Sequence, residues 1–272
     1  MKFETLGDWC KWLEKNFSPE VMIPTLPVII RIDGNNFSKW TKGLQKPFDS
    51  NLNQLMTDLT KALVEETNAV IGYTQSDEIT LILYTSDRKS ALYNDGKKQK
   101  ILSKLTGFCV TYFNSRRKEL NLGHKKDANF DCRVYQTPTL HDAAVQLLWR
   151  ENDATKNSIS MLAQSLFSHK ELQGLHGGAM QDKMMLECNV NWNDLEAKYK
   201  RGTYVKRVKT MMPFTKEELE KLPPLHQARK NPNLLIERNF VDVVELPIFS
   251  KITNKEGVVF FNEEPNVEFI EK

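Results

Sequence analysis

Three carboxylates, one at the end of an apolar run and two in the middle of another, are the side chains best placed to do chemistry. The run "VIIRID" at 28–33 ends on Asp33, and the run "IGYTQSDEITLIL" at 71–83 carries Asp77 and Glu78 in its middle. Acidic residues are depleted in strands and are costly to bury without a partner. Carboxylates held close together repel each other unless a proton or a cation offsets the repulsion.

Magnesium is the cation that suits such a pair, because it prefers carboxylate, carbonyl and phosphate oxygens. Two Mg²⁺ ions bridged by acids serve phosphoryl and nucleotidyl transfer: one lowers the pKa of the attacking hydroxyl, and the other stabilises the leaving phosphate. Gly34 follows Asp33 and has no Cβ, so its carbonyl can approach an ion closely. A simpler interpretation treats Asp33-Gly34 as an ordinary turn and residues 76–78 as a polar hairpin tip.

The elements around these acids predict an α+β, ferredoxin-like arrangement. A strand at 28–33 precedes a helix that begins near Asp49 or Ser50; a hairpin follows with "SDE" as its turn, then a second helix and the short strand "FDCRVYQTP". The order β, α, β, β, α, β is typical of an antiparallel four-stranded sheet with two helices. The first strand then lies beside the hairpin, which would bring Asp33 and Asp77 together. The fold alone does not settle the function.

The rest of the chain bounds the class of protein. Its 272 residues allow one large domain or two coupled ones. We expect a catalytic core with an N-terminal helix over 1–138 and a more helical region with C-terminal strands over 139–272, packed as one compact unit. Scattered cysteines without a C-x-x-C pair favour free thiols in the cytoplasm over a zinc site. We expect no signal peptide, transmembrane helix or membrane partner.

A series of ordered motifs between residues 1 and 210 resembles the tRNA(His) guanylyltransferase family and its guanylyltransferase-like relatives, which add nucleotides in the 3′–5′ direction at RNA 5′ ends. The motifs are "RIDGNNF", "KPFD", "SDE", "FDCRV", "WREND" and the Asp-Lys pair of "HGGAMQDK". The resemblance implies a polymerase palm with two Mg²⁺ ions and a finger-like helical region. It implies that Asp33 and Asp77 are catalytic metal ligands, that the Gly34 carbonyl assists them, and that catalytic Glu78 supports the site or is a partial ligand.

The resemblance also implies a nucleotide-binding set around these acids. Its members are Gly34, Asn35, Asn36, Phe37, Lys46, Ser76, Asp77, Lys97, Lys100, Arg133 and Lys183. The main chain of 35–37 would cradle a triphosphate, Phe37 would pack against the base, and Lys97 and Lys100 would meet a second triphosphate. Each of the cations also has a simpler interpretation as a surface charge.

One departure from the family concerns the RNA. The family's tRNA(His) enzymes carry His-Ile-Asn-Asn after the W-R-x-x-D motif, and this chain has "TKNS" at 155–158. We take Thr155, Lys156 and Asn157 as candidate tRNA contacts, together with Lys206 and Arg207 from the basic run at 198–209. The change favours loss of strict anticodon reading, and hence templated repair of tRNA 5′ ends. Drift on a helix surface, with strict tRNA(His) guanylylation retained, is the alternative.

The implied reaction is ATP activation of a tRNA 5′-phosphate, followed by attack of the 3′-hydroxyl of GTP or another NTP on the activated end. A homotetramer is implied by the resemblance alone. Two other classes compete. A palm-type nucleotide cyclase would not need the K-P-x-D and W-R-x-x-D motifs. A non-catalytic RNA-binding module would want exposed aromatics on the central strands, which are aliphatic here.

Overall fold

The computed structural model describes residues 4–17, 20–122, 126–231 and 233–268. The strands are β1 (Val28–Gly34), β2 (Ile71–Gln75), β3 (Glu78–Leu83), β4 (Phe130–Gln136), β5 (Thr203–Pro213) and β6 (Leu235–Val244). The α-helices are α1 (Leu6–Asn16), α2 (Phe37–Trp40), α3 (Ser50–Thr67), α4 (Lys98–Arg116), α5 (Leu140–Leu166), α6 (His169–Leu172), α7 (Gly177–Cys188), α8 (Ala197–Arg201), α9 (Lys216–Lys221), α10 (Gln227–Lys230) and α11 (Lys255–Phe260). Short 3₁₀ helices span Tyr93–Gly96, Trp192–Asp194 and Phe249–Lys251.

The six strands form one antiparallel sheet in the order β4-β1-β3-β2-β5-β6. The first four strands, with α3 after β1 and α4 after β3, have the ferredoxin-like connectivity. The predicted α+β class is confirmed. Strands β5 and β6 come from the second half of the chain and extend the same sheet beyond β2, while the division at residue 138 stays a prediction.

Helix α3 begins where its sequence predicts. The Asp49 side chain accepts hydrogen bonds from the backbone N–H groups of Asn51 and Leu52, both at 3.0 Å. That bond pattern is an N-cap and satisfies two donors that would otherwise lack partners. The helix ends at Asn68, which adopts the left-handed conformation.

The central strands β1, β2 and β3 are buried on both faces, which explains why β1 is almost continuously apolar. Ile30 and Ile32 pack on one face against α3 and α4, in a cluster with Leu59 and Leu105. Ile29 packs on the other face, in a cluster with Leu147 of α5. Alternate residues of a strand point to opposite faces, so a strand covered on both sides needs apolar residues at successive positions.

Helix α5 crosses the second face of the sheet and continues beyond it. The apolar patterns of "TLHDAAVQLLWREND" at 139–153 and "KNSISMLAQSLFS" at 156–168 predict two helical segments, but the structure joins them in one helix of 27 residues. Its C-terminal half packs Ile159 and Leu162 against Met184 of α7 and against Trp192, in a separate small cluster. No helix within the described part of the chain is long and apolar enough to cross a membrane.

Candidate active site

The ends of β1 and of the β2–β3 hairpin meet at one edge of the sheet. Asp33 lies opposite Glu78 of β3 and opposite Asp131 of β4. The backbone N–H of Gly34 donates to the carbonyl oxygen of Asp77 at 3.1 Å. The antiparallel register therefore brings the three sequence-predicted acids together and adds a fourth, Asp131, that the sequence reasoning did not single out.

The hairpin turn is held in a defined conformation. Gln75 pairs with Glu78, so Ser76 and Asp77 form a two-residue turn, and Ser76 has a φ of 52°. A left-handed residue of this kind suits a tight hairpin between twisted strands. The Thr74 hydroxyl donates to the Glu78 carbonyl at 3.0 Å and braces the strand ends.

Burial and the charge of a neighbouring carboxylate raise the pKa values of Asp33 and Asp77. Burial, and after it the charge of Asp33, raises the pKa of Asp77 from 3.8 to about 6. Burial and the charge of Asp131 raise the pKa of Asp33, and the nearby guanidinium of Arg133 opposes the rise. Each carboxylate is thus less stable as an anion than it would be in water, and a bound cation would reverse that penalty.

The donor set suits a hard cation that also binds substrate. Among the described residues, no group of three or more His, Cys, Asp or Glu side chains is arranged to hold a metal. Asp33, Asp77 and the Gly34 carbonyl are all oxygen donors, and Mg²⁺ is commonly held by one or two carboxylates together with water and substrate phosphates. The residues present therefore fit Mg²⁺ that binds with a phosphorylated substrate, and do not form a self-sufficient cage.

Gly34 and Phe37 depend on each other. A Cβ placed on Gly34 would lie 2.3 Å from the Phe37 ring. Phe37 is 3% exposed and packs on Trp40 with ring centroids 5.1 Å apart. The sequence resemblance implies a base-packing role for Phe37, whereas the structure places its ring in the core behind the loop. The N–H of Asn35 donates to Asn129, and Asn36 adopts the left-handed conformation.

Two adjoining pockets open beside these acids. The first, which we call the acidic cleft, has a volume of about 740 Å³ including space open to solvent, and is lined by Asp33, Gln75, Ser76, Asp77, Glu78, Arg150, Asp153, Asn157, Ser160, Met161 and Gln164. The second, the aromatic pocket, has about 730 Å³ on the same measure, and its lining includes Lys46, Phe48, Asp49, Ser158, Lys198 and Tyr199. The two share Gln75, Ser76, Asn157 and Met161. In the aromatic pocket, Phe48 and Tyr199 stack with centroids 4.9 Å apart.

Glu78 faces a buried arginine that sequence reasoning gave no role. Nε of Arg150 lies 2.5 Å from Oε1 of Glu78, and Nη2 donates to Oε2 at 2.6 Å. Burial raises the pKa of Glu78, and Arg150 is the largest opposing influence. An arginine on the apolar, inward face of a predicted helix was the available signal, because a buried guanidinium needs an acidic partner.

The predicted phosphate-binding cations lie in three places. Arg133 is on β4, exposed, with Nε 4.0 Å from Asp131. It lines a third pocket with Lys98, whereas Lys97 and Lys100 are exposed and do not line that pocket. Lys183 lies on α7, where it pairs with Glu187 at 2.7 Å, and it lines none of these three pockets.

The run at 155–158 lies along α5 beside the same cleft. Asn157 lines both pockets, and Lys156 is exposed. The Thr155 hydroxyl donates to the carbonyl of Glu151 at 2.9 Å. Ser158 is 2% exposed, and its Oγ accepts a hydrogen bond from Nε1 of Trp192 at 3.1 Å.

The two candidate tRNA contacts on β5 make contacts within the protein. Lys206 is 6% exposed, and its Nζ donates to the carbonyl oxygens of Val258 and Val259 at the end of α11. Arg207 pairs with Glu65 of α3 at 3.3 Å. The Lys206 ammonium therefore lies inside the fold against α11 and not on the protein surface.

Comparisons with known proteins agree on one family. A family model for tRNAHis guanylyltransferase matches residues 10–138. A bacterial tRNA(His) guanylyltransferase-like protein in complex with ATP is 33% identical with a TM-score of 0.74, over 95% of this chain and 100% of that chain. The corresponding GTP complex is 30% identical with a TM-score of 0.65, over 90% and 94%. A probable tRNA(His) guanylyltransferase of Drosophila melanogaster is 28% identical over 220 residues, 76% of this chain and 75% of that protein.

Proposed function

This chain belongs to the tRNA(His) guanylyltransferase family and is a nucleotidyltransferase, and from that premise we propose that it adds nucleotides in the 3′–5′ direction to the 5′ end of tRNA. The observation that carries the proposal is the pair of partly buried carboxylates, Asp33 and Asp77, whose pKa values are both raised and which line a cleft that adjoins an aromatic pocket.

The cation in this proposal is Mg²⁺, with two ions bound during the reaction. Asp33, Asp77 and the carbonyl of Gly34 would hold it. When bound, Mg²⁺ neutralises phosphate charge and activates the attacking oxygen. The protein's own contribution is to hold the two carboxylates at fixed positions on the edge of a rigid sheet, so that little reorganisation is needed when substrate arrives.

The aromatic pocket supports a place for the nucleoside. The stacked rings of Phe48 and Tyr199 offer an apolar surface of the kind on which bases stack, and Lys46 and Ser76 line the same pocket. A nucleotide with its base there would direct its phosphates past Ser76 toward Asp33 and Asp77. Lys98 and Arg133 line the third pocket together with Glu14, and these two cations suit the phosphates of a further triphosphate.

The reaction proceeds in two balanced steps. The RNA 5′-monophosphate oxygen attacks the α-phosphorus of ATP, which forms the 5′-adenylylated RNA and releases pyrophosphate. The 3′-hydroxyl of the incoming NTP then attacks the activated 5′-phosphorus, loses its proton and displaces AMP. The chain's residues position the reacting oxygens and neutralise charge, which is the main requirement of phosphoryl transfer.

Templated repair of tRNA 5′ ends is the form of this activity that we favour. Ser158 stands where the family's tRNA(His) enzymes carry a second asparagine. It is buried, and its hydroxyl oxygen accepts a hydrogen bond from the Trp192 indole. That position offers no side chain for reading an RNA base, and Thr155 carries no imidazole. The proposal includes a homotetramer acting in the cytoplasm, and this part rests on the family alone.

A 5′-extension assay tests the proposal. Purified protein is incubated with Mg²⁺, ATP, labelled GTP and a tRNA that lacks its 5′ nucleotide, and the product is sized on a gel. We expect extension by one labelled nucleotide and loss of at least ~100-fold in D77N and D33N, since each removes a proposed metal ligand. D87N alters an exposed loop acid outside all three pockets and is the matched control. Extension by D77N at the wild-type rate would refute the assigned site.

A further inference from the structure

Arg150 has the most constrained side chain in the acidic cleft. Besides its two contacts with Glu78, its Nη2 donates to Oδ2 of Asp153 at 2.9 Å. The residue is 7% exposed. A guanidinium held by two carboxylates in a buried setting keeps its charge and its planar orientation.

The indole ring of Trp149 packs against the guanidinium of Arg150. The Arg150 guanidinium lies 4.7 Å from the Trp149 ring centroid, and that of Arg31 lies 5.2 Å from the same ring. Arg31 is in turn paired with Glu14 of α1 at 2.5 Å. Trp149 therefore makes cation–π contacts with both Arg31 and Arg150, and these contacts help to hold Arg150 between α5 and the sheet.

Glu78 is a neighbour of both proposed metal ligands. It follows Asp77 along the chain and lies opposite Asp33 across the β1–β3 pairing. A carboxylate in that place would compete with its neighbours for a cation if its oxygens were free. Both of its oxygens are instead within 2.6 Å of Arg150.

We propose that Arg150 is a positioning residue that keeps Glu78 out of the metal-ligand set, so that Asp33 and Asp77 are the carboxylates that hold the cation, beside the carbonyl of Gly34. The inference rests on the function proposed above and adds to it the reason why Glu78, although it adjoins both Asp33 and Asp77, does not serve as a ligand. Too tight a hold would keep the cation from following the phosphates, because a third carboxylate converts a substrate-assisted site toward a protein cage.

The test separates cation binding from turnover. Binding of Mn²⁺ to metal-free protein is followed by the loss of the free-ion EPR signal, in wild type and in R150Q. We expect R150Q to bind Mn²⁺ on the order of tenfold more tightly, because a nearby positive charge is lost and Glu78 is freed. We expect kcat for 5′ extension to fall roughly 10–100-fold, as is usual when a ligand-orienting partner is lost.

Loss of an arginine that only stabilises the fold would not tighten Mn²⁺ binding while lowering kcat. R117Q is the matched control, because Arg117 is 6% exposed and pairs with Asp127 at 2.5 Å, away from the cleft. We expect R117Q to lose thermal stability and keep the wild-type Mn²⁺ affinity. The double variant E78Q/R150Q should lose the tightened Mn²⁺ binding of R150Q, since the freed carboxylate is gone. Free guanidinium, but not urea, should return R150A toward wild-type kcat.

Unchanged or weaker Mn²⁺ binding in R150Q would overturn the inference. Should R150Q fail to fold, R150K carries the test: it keeps the charge and loses the planar fork, so a smaller change in the same direction is expected, and none would overturn the inference. If wild type fails to extend RNA while R150Q still binds Mn²⁺ more tightly, the proposed function is wrong and the role of Arg150 stands. If wild type extends RNA but R150Q does not bind Mn²⁺ more tightly, the proposed function stands and the role assigned to Arg150 is wrong.

Discussion

At the scale of single residues, the site is built from groups that are destabilised where they stand. Asp77 is an acid whose anion is disfavoured by burial and by Asp33. Gly34 must lack a side chain because Phe37 occupies the space. Both features are unfavourable or restrictive for the empty fold, and both make sense if the site is shaped for a cation and a phosphate.

The first prediction concerns the pH dependence set by Asp77. Its pKa is higher in the folded chain than in the unfolded chain, so the native state binds more protons between pH 3.8 and about 6. Stability of the metal-free protein therefore falls as pH rises through that window and is then level. D77N removes this penalty, and at pH 7 in EDTA it should be more stable than wild type by up to about 3 kcal/mol.

The measurement is thermal unfolding of both proteins at pH 4 and pH 7, with EDTA or with Mg²⁺ and ATP. The difference between wild type and D77N should shrink at pH 4, and Mg²⁺ should raise the Tm of wild type more than that of D77N. A D77N protein that is less stable than wild type in EDTA at pH 7 would contradict the assigned electrostatics.

The second prediction concerns the contact of Gly34 with Phe37. G34A should destabilise the protein by about 1–3 kcal/mol, because the new Cβ overlaps a ring that is packed in the core. G107A is its control: a Cβ on Gly107 meets no atom within 4 Å, and alanine in a helix interior is favoured by about 0.5–1 kcal/mol. Urea unfolding of the two variants should therefore give opposite signs. Equal effects would mean that the Phe37 ring moves aside freely.

At the scale of elements, α5 links the sheet to the small cluster that includes α7. Its N-terminal half packs on the sheet, Arg150 reaches the hairpin, and Ser158 holds Trp192. One continuous helix thus connects the acids to the run at 155–158. The W-R-x-x-D motif acquires a physical meaning: Trp149 supports Arg150, and Arg150 bridges Glu78 and Asp153.

The third prediction concerns the hydrogen bond between Ser158 of α5 and Trp192. S158A should cost about 1–3 kcal/mol, because Nε1 of Trp192 is left buried without its acceptor. S160A removes a hydroxyl from the same helix that bonds only to the carbonyl of Lys156. It should change stability by less than about 0.5 kcal/mol. The Tm values of the two variants, measured in parallel, decide between these outcomes. An equally small loss of Tm in both would mean that the hydrogen bond between Ser158 and Trp192 does not stabilise the protein.

At the scale of the whole molecule, the six-stranded sheet is continuous across both halves of the chain. Strand β5 pairs with β2, and β6 pairs with β5 along ten residues. Lys46 and Lys198 line the aromatic pocket, and Lys156 is exposed on α5 next to Asn157, which lines both pockets; these are the cations we expect nearest to the RNA 5′ end. Cationic side chains that contact phosphates give affinity without sequence preference.

The fourth prediction concerns RNA choice. If templated repair is the activity, truncated tRNA(His) and other truncated tRNAs with a paired opposite nucleotide should be extended with kcat/KM values within about tenfold of each other. The comparison uses identical truncations and each NTP in turn, with a tRNA of intact 5′ end as the control. A preference for tRNA(His) above ~100-fold would favour strict guanylylation.

Local pattern was enough for a good part of this protein. Asp33 ends a strand and Asp77 tips a hairpin, and once the β, α, β, β, α, β order is recognised, antiparallel pairing places them side by side. The cap at Asp49 and the helix after it follow from short-range hydrogen bonding. These features depend on neighbours within a few residues, or on strand order, and both can be read along the chain.

Contacts between side chains that are far apart in the sequence were determined only by the tertiary structure. Arg150 meets Glu78 across 72 residues, and Lys206 ends on carbonyls of α11 more than 50 residues away. Phe37 turned into the core because the aromatic cluster of Trp40, Phe113 and Phe130 receives it. A side chain's burial and partners follow from how elements pack, so the sequence by itself indicated which acids could carry the chemistry, and packing decided that Glu78 has a buried ionic partner in Arg150.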